Sequence, residues 1–323
     1  MVVLVTGGAG FIGSHVCDRL LAQGQTVICV DDLNDFYDPA FKWQNIRQAQ
    51  ASPRFHLHQV SITDTSAMAD VFAQHSITQV IHLAARAGVR PSIGAPLLYE
   101  QVNIQATLQL LELCRVHSVE RFIFGSSSSV YGAQARHPFR EDDPADRPIS
   151  PYAATKRAGE LLAYTYHHLY GFPVVCLRFF TVYGPRQRPD LAIHKFTRAI
   201  YEGQEITLYG KGDSARDYTY VDDIIGGIAA ALECQPAPGF EVINLGNSTP
   251  ISLRDLIAVL ERASGREARV KHVAEQPGDA PFTCADITKA RTTLNWRPTT
   301  PLDEGVQRFV DWFEMTRSMP QCP

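Results

Sequence analysis

The sequence lacks the features that mark membrane, nucleic-acid-binding and repetitive proteins. No apolar run reaches the roughly 20 residues of a transmembrane helix, and the first one starts at Val2, too early for a signal peptide. The net charge is only −4 over 323 residues, which favours neither nucleic acid nor a membrane surface as a partner. Repeats and low-complexity segments are also missing. Such a chain can bury a large core, in one large domain or two interlocked ones.

The sequence also lacks paired cysteines and the spacings of metal ligands. No Cys-x-x-Cys pair occurs and several cysteines lie in apolar runs, so we expect reduced, mostly buried thiols in a cytoplasmic protein. The histidines show no metal-ligand spacing, and His167-His168 fits a packed or solvated place on a helix, so we expect no metal. The seven cysteines are Cys17, Cys29, Cys114, Cys176, Cys234, Cys284 and Cys322.

A glycine-rich turn is the first functional feature that is present. Residues 2–5 form an apolar run typical of a buried parallel strand, and a helical pattern begins at Ser14. Between them, Gly7, Gly10 and Gly13 allow a tight turn and let the backbone approach a pyrophosphate at the helix N-terminus. The alternative is an ordinary strand–turn–helix with glycines there by chance.

An acidic pair ends the second apolar run, which covers residues 26–30. An acid at the end of a second strand hydrogen-bonds ribose hydroxyls and repels a 2′-phosphate. Asp31-Asp32 stands there, so the sequence predicts NAD rather than NADP, with Asp31 as the ribose ligand.

Strands and helices alternate along the first half of the chain. Further strands are predicted at 55–60, 80–85, 121–126 and 174–178, and further helices at 66–74, 102–117 and 152–170. This βαβ repetition predicts an α/β fold with a doubly wound parallel sheet of the Rossmann type.

The pattern loosens after residue 184. We expect a β segment at 205–212, a strand at 242–247 that returns to the sheet, and helices at 252–263 and 302–314. The predicted domains are 1–180 with 221–247 for the dinucleotide, and 181–220 with 248–323 as a smaller, partly discontinuous region that caps the strand ends.

The helix predicted at 152–170 carries the candidate catalytic pair. Ser150 suits the N-cap and Pro151 the first turn, which leaves Tyr152 and Lys156 four residues apart on one face. An ammonium beside a phenol favours the phenolate and lowers its pKa toward neutrality, so Tyr152 is a candidate general base for a hydroxyl group. Ser127, at the end of the predicted fifth strand, can hydrogen-bond the reacting oxygen; a serine-rich turn without function is the alternative.

Together these features resemble the extended short-chain dehydrogenase/reductase family, and specifically its nucleotide-sugar epimerases. The resemblance covers essentially the whole chain and includes residues 82–85, Asn103 and the segments 210–218 and 220–223. It implies that Tyr152 is the base, that Lys156 binds the nicotinamide ribose and lowers the Tyr152 pKa, and that Ser127 assists.

The resemblance also implies a tightly bound NAD that is regenerated in each turnover. At the position of Ser61 the family usually has Asp, whose side chain reaches the adenine amino group. Ser61 departs from this pattern, so the resemblance does not carry adenine recognition over to this position. The implied cofactor contacts are Gly7, Gly10, Phe11, Ile12, Gly13, Asp31, Asn34, Ile62, Leu83, Ala84, Ala85, Tyr152 and Lys156.

For the substrate, the resemblance implies that Arg216 holds a nucleotide-sugar diphosphate and that Asp279 binds a ribose. Arg216 can instead form an ordinary surface ion pair. The implied substrate contacts are Arg90, Ser127, Ser128, Thr181, Arg188, Arg216 and Asp279.

The type of reaction follows from missing carboxylates. Dehydratases of this family usually carry Asp-Glu, and decarboxylases Ser-Glu, directly after the residue that corresponds to Ser127, whereas this chain has Ser128 and Ser129. Elimination needs an acid and a base at this place. What remains is removal and return of hydride through a transient 4-keto sugar, which is epimerisation.

Thr181, Arg188 and the segments 31–38 and 85–90 look most like UDP-glucuronate 4-epimerases. An arginine can clamp a sugar carboxylate bidentately, and a threonine can add a hydroxyl donor. The two-point grip would hold the carboxylate out of alignment with the 4-ketone and so suppress loss of carbon dioxide. In the alternative, Arg188 only pairs with Asp190 in a loop.

Two other activities stay open, a UDP-glucose/UDP-galactose 4-epimerase and another NAD-dependent nucleotide-sugar oxidoreductase. The resemblance further implies a homodimer formed through the helices at 102–117 and 152–170.

Overall fold

A parallel sheet with helices on both faces carries the site. The computed structural model describes residues 1–133, 136–210, 212–234, 239–273 and 282–318. The strands are β1 Val2–Thr6, β2 Thr26–Val30, β3 Phe55–His58, β4 Gln79–His82, β5 Arg121–Ser127, β6 Val174–Phe179, β7 Thr181–Tyr183, β8 Glu205–Tyr209, β9 Ala215–Tyr220, β10 Phe240–Leu245, β11 Pro250–Ser252 and β12 Arg269–Val273.

The helices connect and cover these strands. They are α1 Phe11–Ala22, α2 Pro39–Ile46, α3 Thr65–Gln74, α4 Val89–Gly94, α5 Pro96–Glu100, α6 Ala106–Val116, α7 Pro151–Tyr170, α8 Ala192–Glu202, α9 Val221–Glu233, α10 Leu253–Ser264, α11 Thr288–Leu294 and α12 Leu302–Ser318. Among the described residues, no helix is both long and apolar enough to span a membrane.

The main sheet has seven strands in the order β10-β6-β5-β4-β1-β2-β3, and every neighbouring pair is parallel. In its centre, Val5 of β1 lies in register with Cys29 of β2 and Ile81 of β4. The predicted α/β, doubly wound fold is therefore confirmed. Since the chain runs from β1 outward to β3 and then resumes at β4 on the other side, a crevice opens between the carboxyl ends of β1 and β4.

Alternation of side chains along the strands builds a hydrophobic core on each face of the sheet. Val3 and Val5 of β1 are buried in one core, with α1 and α9, whereas Leu4 between them is buried in the other, with α3 and α6. The central strands are apolar on both faces for this reason, which is the signal that the sequence pattern detected.

Several predicted boundaries are wrong. The helix predicted from Ser14 begins at Phe11, because the Ser14 amide already donates to the Gly10 carbonyl at 3.0 Å, as in the first turn of a helix. The strands predicted at 55–60 and 80–85 end earlier, at His58 and His82, where the chain leaves the sheet toward the crevice. The helix predicted at 102–117 starts with a wide π turn, Gln101–Gln105, before α6.

Within the described residues, the second half of the chain adds two small sheets that the sequence pattern did not indicate as sheets. β7, β9 and β11 form one, and β8 pairs with β12 in the other. β10 joins β6 at the edge of the main sheet, as expected for the strand predicted at 242–247. No helix was predicted from the sequence at the positions of α2, α4, α5, α8, α9 and α11.

Candidate active site

A cavity lies in the crevice between β1 and β4, where the sequence predicts a dinucleotide. Arg188, from the second half of the chain, lines it as well. The predicted cofactor residues that line it are Gly7, Gly10, Phe11, Ile12, Gly13, Asp31, Asn34, Ile62, Leu83, Ala84, Ala85 and Lys156. Tyr152 is not among the lining residues.

The glycine loop brings backbone to the mouth of this cavity. Gly7 has φ +71°, in the left-handed region that favours glycine. A Cβ on Gly13 would overlap the Gly7 carbonyl oxygen. The backbone of the glycine loop therefore contacts the backbone of the first turn of α1 directly, with no side chain between them. The Gly10 amide donates to the Gly7 carbonyl at 3.1 Å and closes the turn. The cradle fits a pyrophosphate approached by backbone at a helix N-terminus.

Asp31 is buried and already bonded, which the sequence did not indicate. Its carboxylate accepts the amides of Ala9 at 3.1 Å and Leu33 at 2.9 Å, and pairs with Lys42 at 3.3 Å. Lys42 reaches it from α2 and is itself buried. Asp31 therefore orders the loop around the cavity, and a ribose hydroxyl there would meet the carboxylate and an ammonium together. Lys42 follows no motif, so sequence reasoning missed it.

The capping residues set the start of α7 as predicted. Ser150 is extended and its Oγ accepts the Ala153 amide at 3.1 Å, with Pro151 in the first turn. Tyr152 and Lys156 thus lie one turn apart at the beginning of α7. The Lys156 ammonium donates to the Gly125 carbonyl at 2.7 Å, and burial lowers its pKa to about 8.

The structure does not show the expected lowering of the Tyr152 pKa by Lys156. Burial raises the pKa of Tyr152, and the opposing influences are a hydrogen bond with Ser127 and the positive charge of Arg188. Lys156 is instead turned to the end of β5 through its bond to Gly125. Arg188 thus lies close enough to the phenol to affect its charge, although the two are 36 residues apart in the chain.

The serine run forms a compact turn at the end of β5. The Ser127 hydroxyl accepts the amide of Ser129 at 3.2 Å and its hydroxyl at 2.8 Å, and residues 128–131 make one 3₁₀ turn. Ser128 lies in that turn. The alternative of a serine-rich turn is therefore correct as local structure, and the same turn holds Ser127 against Tyr152.

A buried ion cluster lies one helical turn beyond Lys156. The Glu160 carboxylate accepts the Ser126 hydroxyl at 2.6 Å and a two-point bond from Arg178 at 2.8 and 2.9 Å. Arg157 adds a second cation at 2.8 Å. The cluster joins α7 to the ends of β5 and β6, and so fixes the distance between the tyrosine helix and the serine turn.

Asn103, which the family resemblance includes without a role, holds a loop beside the cavity. Its side chain lies in the π turn, accepts the Arg86 amide at 2.8 Å and donates to the Arg86 carbonyl at 2.9 Å. The Asn103 amide group also donates to Thr155 of α7 at 3.0 Å. Arg86 lines the cavity, and the sequence placed it in the segment 85–90 without a role of its own.

Arg188 lies where it could bind a substrate carboxylate and also forms the alternative ion pair with Asp190. It lines the cavity near Tyr152, and its Nε and Nη2 donate to the two carboxylate oxygens of Asp190 at 2.9 and 2.8 Å. The guanidinium lies over the ring of Phe36, 5.4 Å from its centroid. Phe36 belongs to the loop that follows β2, so the segment 31–38 supports both the dinucleotide end and the arginine.

The other predicted substrate residues lie outside the cavity lining or outside the described residues. Thr181 begins β7, and Arg90 is exposed on α4. Arg216 lies on β9, where its Nη1 donates to the Ala215 carbonyl at 3.1 Å. Asp279 lies outside the described residues. Within the described part of the chain, no group of three or more His, Cys, Asp or Glu residues is arranged to hold a metal ion.

Comparison with known proteins gives consistent matches over nearly the whole chain. The model of a family described as GDP-mannose 4,6 dehydratase matches residues 4–309. A UDP-glucuronate 4-epimerase of Thermodesulfobacterium geofontis is 46% identical over 310 residues, which are 96% of this chain and 95% of that protein. The crystal structure of UDP-glucuronic acid 4-epimerase from Bacillus cereus with UDP-glucuronic acid and NAD superposes with a TM-score of 0.93 at 40% identity, over 98% of this chain and 100% of that one. The crystal structure of a UDP-glucose 4-epimerase from Thermotoga maritima with UDP-glucose superposes with a TM-score of 0.90 at 33% identity, over 98% of this chain and 100% of that one.

Proposed function

Because the chain belongs to the GDP-mannose 4,6-dehydratase family, we propose that it is an NAD-dependent nucleotide-sugar 4-epimerase that converts UDP-glucuronate to UDP-galacturonate. The observation that carries the choice of substrate is the position of Arg188. A guanidinium that lines the cofactor-type cavity and influences the pKa of Tyr152 supplies a partner for a sugar carboxylate next to the candidate base.

NAD fits the cavity by its chemistry. The glycine cradle suits its pyrophosphate, and Asp31 with Lys42 suits a ribose. When bound, NAD accepts hydride from carbon 4 of the sugar and returns it, so it is regenerated within each turnover. Asn34, Ile62 and residues 83–85 would complete its contacts.

The residues of α7 and the serine turn would move the proton. Tyr152 takes the proton of the sugar 4-hydroxyl while Ser127 hydrogen-bonds the same oxygen. After the 4-keto sugar has rotated in the site, Tyr152 gives the proton back. Burial raises the Tyr152 pKa and favours the protonated phenol, so positive charge must favour the phenolate. Arg188 provides part of it, and Lys156 lies one turn away on α7.

The residues after Ser127 argue against elimination and for epimerisation. Ser128 and Ser129 carry hydroxyls that form a turn and do not titrate in the physiological range. Without a carboxylate there, the 4-keto sugar meets no acid to protonate a leaving hydroxyl. Arg188, together with Thr181, would also hold the carboxylate of that keto acid out of alignment with the ketone.

We also propose where the substrate binds and how the protein is assembled. The nucleotide sugar would lie between residues 1–180 with 221–247, which hold the cofactor, and residues 181–220 with 248–323, using Arg90, Arg216 and Asp279. A homodimer would form through α6 and α7, which expose apolar side chains. A cytoplasmic location fits the free thiols of the six described cysteines.

One experiment tests the reaction and the substrate together. The purified protein is incubated with UDP-glucuronate and, separately, with UDP-glucose, and the products are resolved by NMR while NADH absorbance is followed. We expect UDP-galacturonate from UDP-glucuronate and a nearly constant absorbance. A dehydrated sugar, a pentose with released carbon dioxide, or stoichiometric consumption of NADH would contradict epimerisation.

A UDP-glucose/UDP-galactose 4-epimerase is the second candidate. The likeness to the Thermotoga maritima structure with UDP-glucose favours it, since the fold and the candidate Tyr–Lys–Ser set suit a neutral sugar equally well. Preferential formation of UDP-galactose in the same assay would establish it in place of the glucuronate activity.

A further inference from the structure

The Nε–Nη2 edge of the Arg188 guanidinium, which suits a carboxylate, already binds the carboxylate of Asp190 from the same chain. Its Nε and Nη2 donate to Oδ1 and Oδ2 of Asp190 at 2.9 and 2.8 Å, which is the two-point geometry that a sugar carboxylate would adopt. A UDP-sugar acid therefore cannot use this edge while Asp190 remains on it.

The two members of the pair differ in how well water reaches them. The Arg188 side chain is 19% exposed and lies over Phe36, whereas the Asp190 side chain is 44% exposed. A largely buried guanidinium without a counter-charge is costly, so Arg188 needs some carboxylate at all times. Asp190 can turn to solvent and be hydrated at much lower cost.

We propose that Asp190 is a built-in competitor that a substrate carboxylate displaces from Arg188. This inference rests on the proposed function and names the residue that sets selectivity between acidic and neutral sugars. The exchange keeps Arg188 paired throughout, because one carboxylate leaves as the other arrives. A neutral sugar brings no carboxylate and leaves the Arg188–Asp190 pair intact.

The exchange has a thermodynamic consequence that can be measured. If the competent state is the one in which Asp190 has left, the apparent affinity for an acidic sugar is reduced in proportion to the fraction of the protein in that state. Removing the charge of Asp190 should therefore tighten the binding of UDP-glucuronate and leave UDP-glucose nearly unaffected. Until a sugar carboxylate arrives, Asp190 keeps the guanidinium beside Tyr152.

The test uses Asp190→Asn and Asp190→Ala in the NAD-loaded enzyme. Dissociation constants for UDP-glucuronate and UDP-glucose are measured by titration calorimetry, and thermal unfolding checks that the variants fold. We expect both variants to bind UDP-glucuronate roughly two- to fivefold more tightly, the range that a partly exposed ion pair supports, with a change below about twofold for UDP-glucose.

A matched control removes a different carboxylate from an arginine. Asp303 pairs with Arg262 at 2.6 Å on an exposed surface, so Asp303→Asn should change neither affinity. Weaker or unchanged binding of UDP-glucuronate by the Asp190 variants, or equal tightening for both sugars, would overturn the inference. The proposed function fails separately, if the wild-type enzyme makes no UDP-galacturonate.

Discussion

At the scale of single residues, the charge on Tyr152 depends on a balance between burial and neighbouring cations. Burial raises its pKa, whereas Arg188 and the bond to Ser127 lower it. Arg188 therefore has two tasks in the proposed reaction, to bind the sugar carboxylate and to favour the phenolate. Both tasks end when its side chain is removed.

Arg188→Ala should weaken turnover of UDP-glucuronate more than turnover of UDP-glucose. A hydrogen bond to a charged group contributes about 1.5–3 kcal/mol, so we expect KM for UDP-glucuronate to rise roughly 10- to 100-fold. Steady-state kinetics with both sugars measure the difference, and Arg262→Ala, at an exposed ion pair, is the control. Unchanged turnover of UDP-glucuronate would show that Arg188 only pairs with Asp190.

Lys156 should limit activity at alkaline pH. Burial lowers its pKa from 10.5 to about 8, so the free enzyme loses this ammonium as pH rises through about 8. Since kcat/KM reports the free enzyme, it should fall on the alkaline side of that pH. Lys156→Arg keeps a cation at all these pH values and should remove the alkaline decline, at a lower overall rate. An alkaline limb that persists unchanged in the variant would assign it to another group.

The sequence predicted these residues more completely than it predicted their contacts. The spacing of Tyr152 and Lys156 and the Ser150 cap identified the helix turn, because those signals are local. The pairing of Asp31 with Lys42 and of Glu160 with Arg178 depends on which elements become neighbours in the fold, and no local pattern encodes that. The influence of Arg188 on the Tyr152 pKa was not predicted for the same reason, because Arg188 reaches the phenol from a distant segment of the chain.

At the scale of elements, the cofactor cradle depends on close contact between the glycine turn and α1. Gly13→Ala adds a Cβ that overlaps the Gly7 carbonyl oxygen, so the turn must open. We expect the purified variant to hold much less NAD, measured by absorbance after denaturation. Gly94→Ala is the matched control, because a Cβ there meets nothing within 4 Å. Full NAD content in Gly13→Ala would mean that the turn adapts without loss of binding.

The ion cluster around Glu160 should stabilise α7 against the sheet. Glu160→Gln leaves Arg178 buried without its carboxylate, which costs about 3–5 kcal/mol, and urea unfolding measures the loss. The substitution should also move the alkaline limit of kcat/KM to lower pH, because the Glu160 charge raises the pKa of Lys156.

Arg157→Met is the control for this prediction, since Arg157 is the partly exposed member of the cluster. It should cost below about 1 kcal/mol and leave Arg178 paired. If the two variants lose equal amounts of unfolding free energy, the buried Glu160–Arg178 pair contributes no more to stability than the partly exposed Glu160–Arg157 pair.

The boundaries of elements were predicted less well than their existence. The apolar central strands were found because both of their faces are buried, while the start of α1 at Phe11 was missed because glycines have no hydrophobic pattern. The small sheets of β7, β9 and β11 and of β8 and β12 were not predicted as sheets, since their strands obtain their partners from distant parts of the chain.

At the scale of the whole molecule, the helix pair α6 and α7 leaves apolar side chains uncovered in the single chain. Leu161 of α7 is 51% exposed and Leu108 of α6 is 40% exposed, with Tyr164 and Leu169 also exposed along α7. Dimerisation would cover these side chains and stiffen the helix that carries Tyr152.

Leu108→Lys with Leu161→Lys should therefore convert a dimer to a monomer that still holds NAD. Two buried ammonium groups per subunit at an apolar interface oppose association strongly, whereas each is hydrated in a monomer. Light scattering after size exclusion gives the mass, and Val270→Lys, at an exposed apolar residue of β12, is the control. We expect kcat to fall with the loss of support for α7 while NAD content stays unchanged. A double variant that remains dimeric would locate the interface elsewhere, and a wild-type monomer would contradict the proposed assembly itself.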